Sequence, residues 1–134
     1  MGHLSSRGVR IRRERVVWPW IAWSLLALFI IVGSAGNWSP YQPGIWAPTL
    51  INVKDVARNV ALYVPFGILG MWSLRRSDVR GVVRVTGIAI LFSIANEALQ
   101  LYTVDRVASL TDIVSAAVGT ASGATLVALF FPPK

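Results

Sequence analysis

Ser93, Asn96, Glu97 and Gln100 stand at i, i+3, i+4 and i+7 at the close of an otherwise apolar run, which gathers them into one polar stripe on a helix. A short loop follows with Asp105 and Arg106, and a second apolar run opens at Asp112. Earlier in the chain Asp55, Asn59 and Tyr63 step by four and share a helix face, with Arg58 beside it. Guanidinium groups such as Arg58 and Arg106 match phosphate or carboxylate bidentately. Glu97 or Asp112 can accept hydrogen bonds from a sugar or an amine, and the same two are the candidates for a general acid and base. Catalysis would also need a nucleophile or a metal within reach, so binding is expected ahead of enzymatic activity. Glu97, Asp105 and Asp112 offer oxygens to a divalent cation, but no metal motif has their spacing, and neither metal nor cofactor is expected. The candidate binding set is Asp55, Arg58, Asn59, Glu97, Gln100, Arg106 and Asp112.

A purely structural role competes with this reading. Asp55 and Asp112 fall where helix caps belong, and Arg106 could close a salt bridge that orients its loop. Glu97 and Gln100 fit that alternative less well. They sit at the C-terminal end of a helix, where the dipole disfavours an acid, so Glu97 needs a partner such as Arg106, Arg58 or Lys54. Ionisable groups at the edge of a membrane-length segment mark a working site or an anchor, and both remain open.

The elements that carry these residues are apolar. The chain has 134 residues, 54% hydrophobic and 14% charged, against about 25% charged in soluble domains. It has no cysteine, which excludes disulfides and thiolate metal sites. The single histidine, His3, lies in a polar tail. A net charge of +7 raises the question of nucleic acid. The basic residues sit between long apolar runs, however, and not along one face, so no nucleic-acid partner is expected. The composition indicates an all-α integral membrane protein in contact with membrane lipids.

Residues 1–15 form a basic tail with Arg7, Arg10, Arg12, Arg13 and Arg15. The rest, 16–134, reads as one domain of four transmembrane helices. A first span from Val16 to Ala35 has the roughly 20 residues that a bilayer core needs. Ser34-Ala35-Gly36 resembles a signal-peptide cleavage site only weakly, so an uncleaved span is expected. Residues 36–53 hold prolines, glycines, Trp38, Tyr41 and Trp46, the makings of an interfacial loop. The second span, Asp55 to Leu74, starts behind a cap at Asn52, and Pro65 should kink it. The third runs from about Val82 to Gln100. The fourth, about Thr111 to Phe131, opens with the capping box Ser109-Leu110-Thr111-Asp112 and presents Asp112, Ser115, Ala116, Gly119 and Gly123 as a small-residue face. The N-tail, Arg75, Arg76, Arg80, Arg84 and Lys134 outweigh Lys54, Arg58 and Arg106. The positive-inside rule then puts both termini in the cytoplasm and the candidate residues at the outer face of the membrane.

The segment from Asp55 through Asn59 to Tyr63-Val64-Pro65-Phe66-Gly67 resembles the first signature of VanZ-like membrane proteins. Glu97 and Gln100, Arg106 in its loop, then Asp112, Gly119 and Gly123 are similar to the second. The resemblance spans about 52–123. It implies a small polytopic protein of the cell envelope. One member of the family is associated with low-level resistance to the glycopeptide teicoplanin, so antibiotic resistance is an expectation of the resemblance alone. One departure stands out: the family usually has an Asn one turn after the second Asp, and here Ala116 takes that place. The reading drawn from all this is an outer-face polar pocket for a lipid head group or an anionic amphiphile such as a lipoglycopeptide. The alternatives are an enzyme acting on a lipid-linked phosphate or sugar, and a structural or assembly protein whose polar cluster is an internal clamp.

Overall fold

A computed structural model describes residues 17–35, 53–103 and 108–131. The basic tail, the loop after the first helix, Asp105 and Arg106 lie outside the described residues. Within them the chain is all-α, with four helices and no strand: α1 Trp18–Ser34, α2 Val53–Ser73, α3 Val79–Gln100 and α4 Leu110–Phe130. Helices α3 and α4 are each long and apolar enough to cross a bilayer, while α1 is apolar but shorter at 17 residues. Helix α2 carries Lys54, Asp55 and Arg58 in its first turns.

The helix ends follow from local chemistry. Pro19 occupies the first turn of α1, where its missing N–H costs nothing. Helix α2 runs unbroken through Pro65. It stops in a Schellman motif: Arg76 N–H donates to Met71 O at 3.0 Å and Arg75 N–H to Trp72 O at 3.1 Å. Arg75 takes the left-handed conformation, φ 51°, that glycine usually fills. Helix α3 begins three residues ahead of the expected Val82. Asp78 caps it, its carboxylate accepting from Gly81 N–H at 3.0 Å. Arg80, which lay ahead of the expected start, is therefore in the first turn of the helix with Arg84 one turn on, a position from which long basic side chains can reach outward.

Helices α2 and α4 make the most extensive contact, although they are not neighbours in sequence; α3 packs on α4, and α1 leans on α2 and barely meets α3. The α2–α4 seam is built on glycine. A Cβ on Gly67 would strike the Thr120 backbone and come within 2.8 Å of Ala124 N, and one on Gly123 would strike the backbone of Val64. Gly119 lies equally close to Val60 and Tyr63. The small-residue face of α4 thus serves backbone-to-backbone approach, the packing that membrane helices use in place of a hydrophobic drive.

Two apolar clusters fill the interior. Ile30, Tyr63, Phe66, Ala89 and Ala116 form one, with Trp23 and Phe92 against it. Met71, Val85, Ala124 and Val127 form the other, nearer the α2–α3 turn. Trp18, Trp72 and Phe131 meet edge to face at that same end. Many large apolar side chains, among them Leu25, Phe29, Val32, Leu91, Val118, Leu129 and Phe130, face outward. An exterior this apolar around a partly polar interior suits hydrocarbon surroundings.

Candidate functional site: a polar cavity at one end of the bundle

The polar residues gather at the end opposite the Arg75–Arg84 turn. There the C-terminal turns of α1 and α3 meet the N-terminal turns of α2 and α4. A cavity of about 200 Å³ lies between them, lined from all four helices. At about 30 Å³ per water it has room for roughly half a dozen waters or a small polar group.

Of the candidate set, Asp55, Arg58, Asn59, Glu97, Gln100 and Asp112 all line this cavity. Arg106 lies outside the described residues. Asp55 and Arg58 are exposed and stand at its rim. Glu97 is 1% exposed and Gln100 6%, although both belong to the last turn of α3. The i+3/i+4 spacing that made the stripe turns Ser93, Asn96, Glu97 and Gln100 inward together, and all four are buried.

Glu97 takes part in starting the next helix. Its Oε2 accepts the backbone N–H of Ser109, the N-cap of α4, at 2.7 Å. This charge-assisted bond contributes about 1.5–3 kcal/mol. It also puts the carboxylate at the positive end of a helix dipole, offsetting its unfavourable place at the end of α3. The sequence reading named Arg58, Lys54 and Arg106 as partners for Glu97; the start of α4 supplies one that it did not name. The same contact corrects the capping box. Ser109 Oγ does cap, accepting from Thr111 N–H at 3.2 Å. Its own N–H, which Asp112 was expected to hold, goes to Glu97. Asp112 reaches across to α2, where its Oδ1 accepts from Asn59 Nδ2 at 2.6 Å. A cap within one helix has become two ties between helices.

Other cavity residues went unnoticed in the sequence. Ser34 and Gly33 of α1 line the wall. Ser34 Oγ donates back to Ile30 O at 2.7 Å and accepts from Asn96 Nδ2 at 3.0 Å. Nothing marks one serine at the end of an apolar run as a site residue; its spacing from Ile30 and the polar stripe waiting on α3 were the faint signals. The Tyr63 hydroxyl meets Ser93 deeper in the cavity. Ala116, where the family usually has Asn, is fully buried beside Tyr63 and Phe66, so this chain places a methyl group there. Among the described residues no three carboxylate, imidazole or thiolate groups are grouped to hold a metal.

Helices that turn hydrogen-bonding groups into one end cavity and bulky hydrocarbon outward define a small helical membrane protein. The chain belongs to the VanZ/LLP1 family, whose model matches residues 10–131. No curated protein and no solved structure matches it.

Proposed function

We propose that this protein crosses the bacterial cytoplasmic membrane four times, with both termini inside. Its end cavity opens to the outer face and holds the polar head group of an envelope lipid or an anionic amphiphile. The observation that carries this reading is the cavity itself: about 200 Å³ lined by polar side chains of all four helices, with Glu97 fully buried at its wall. A cluster serving only as a clamp would close on itself. Arg58 and Asp55 at the rim offer charge-assisted contacts to a phosphate and an amine respectively, and the amides and hydroxyls below suit hydroxyl groups. A lipoglycopeptide would meet the same groups, and resistance to a glycopeptide such as teicoplanin would follow from its capture.

Both halves of the proposal can be tested. The chain has no native cysteine, so a single Ser77→Cys in the α2–α3 turn should react with a membrane-impermeant maleimide only in opened vesicles. Labelling in intact right-side-out vesicles would overturn the topology. For binding, the wild type and an Asn59→Ala/Gln100→Ala variant would be placed in phosphatidylcholine nanodiscs doped with phosphatidylglycerol, and retained lipid counted by native mass spectrometry. The variant should retain at least about tenfold less, since about 1.4 kcal/mol of lost contact is a factor of ten. Equal retention by a variant that melts like the wild type would sink the head-group reading.

A further inference from the structure

A second, smaller void lies between α1 and α3, of about 30 Å³, room for one water or one methylene. Its walls are Ile31, Ser34, Ala35, Asn96, Leu99, Gln100 and Thr103, of which Ser34, Asn96 and Gln100 also line the main cavity. The two spaces are thus neighbours across the Ser34–Asn96 hydrogen bond. On one side of it stand Glu97, Asn59 and Asp112; on the other stand the apolar side chains of Ile31, Ala35 and Leu99. Of the two helices that α1 meets among the described residues, it touches α3 the less.

Gln100 stands at the junction. The residue is 6% exposed, borders both spaces, and its carboxamide makes no hydrogen bond among the described residues. Its amide atoms are not sealed off in the interior, so a donor or acceptor of a ligand in the cavity can reach them. Along the path from cavity to α1–α3 gap the chemistry runs from charged, to a free amide, to hydrocarbon. That is the order of groups along a membrane lipid: head, ester linkage, acyl chain.

We infer that the ligand is an acylated amphiphile seated sideways, its head in the main cavity, its ester carbonyl or glycerol oxygens on Gln100, and its chain leaving to the bilayer between α1 and α3. This rests on the head-group reading and adds what that reading leaves open, namely that a soluble head group alone is an incomplete ligand. The gap is too narrow for a chain as it stands. Loading therefore parts the Ser34–Asn96 bond and swings the end of α1 off α3, where the two helices meet only slightly among the described residues.

The test uses the full chain in nanodiscs doped with dioleoylphosphatidylglycerol, with glycerophosphoglycerol as the chain-free probe. An Ile31→Cys/Leu99→Cys pair introduces the only thiols in the protein. Oxidation should lower retention of the diacyl lipid at least about tenfold, equivalent to about 1.4 kcal/mol, with recovery on reduction. Binding of glycerophosphoglycerol should survive the lock. Should the disulfide not close, Leu99→Trp fills the same gap with bulk and should give the same split between the two probes, at an unchanged melting temperature. Equal lipid retention by the locked, or the bulk-filled, protein would overturn the lateral path while leaving the head-group reading intact. Failure of the wild type to hold either probe would instead remove both.

Discussion

The two ends of the bundle handle charge in opposite ways. At the α2–α3 turn, Arg76 and Asp78 form an ion pair at 3.4 Å with side chains 39% and 35% exposed. Such a pair is worth well under about 1 kcal/mol. The turn is held instead by the backbone bonds of the Schellman motif behind it and by the Asp78 side-chain cap ahead. At the cavity end, Glu97 is buried and Asp112 half-buried, and each is tied to a different helix. One end keeps its arginines for the surroundings and uses a single carboxylate, Asp78, to start a helix. The other spends its carboxylates on joining helices around a space.

Substitutions at three positions would break or sharpen that contrast. The largest effect belongs to the seam beneath the cavity: Gly123→Leu drives a side chain into the Val64 backbone and should destabilise the protein by about 3 kcal/mol or more. Loss of the folded state in detergent, or a greatly lowered melting temperature, would show it. An unshifted melt would mean that the α2–α4 approach is looser than the glycines imply. Next comes Glu97→Leu, which strands the Ser109 N–H and should cost about 1–3 kcal/mol, whereas Glu97→Gln keeps an acceptor and should cost less. If both cost the same, the negative charge, and not the hydrogen bond to α4, is what matters. The smallest effect lies at the basic end and has the opposite sign. Arg75→Gly relieves a left-handed conformation and should stabilise by about 1 kcal/mol. A lower melting temperature would show that the arginine side chain contributes more than its backbone costs.

Much of this was legible in the sequence because apolar length and polar spacing are local signals. The α3 stripe and the α4 glycine face could be read from periodicity, and the structure turns both inward as one side of a helix must. The misplaced start of α3 came from leaving Val79, Arg80 and Gly81 in the turn, whereas a good cap at Asp78 lets the helix begin there. The Ser109–Asp112 box was misassigned for a subtler reason. Spacing shows which partners are near along the chain, but a carboxylate from another helix can outcompete the local one. Ser34 was invisible on the same grounds, since its significance depends on Asn96, 62 positions away.

The intimacy of α2 with α4 also bears on how the protein is made. A chain emerging in order completes α2 well before the helix it packs on most extensively exists. Until α4 arrives, the groove at Gly67 has no backbone to meet and Asn59 has no Asp112. The α2–α3 hairpin, sealed by its own turn, therefore stands half-finished until α4 is made. Arrival of the final helix is then the event that both closes the seam and gives the cavity its fourth wall.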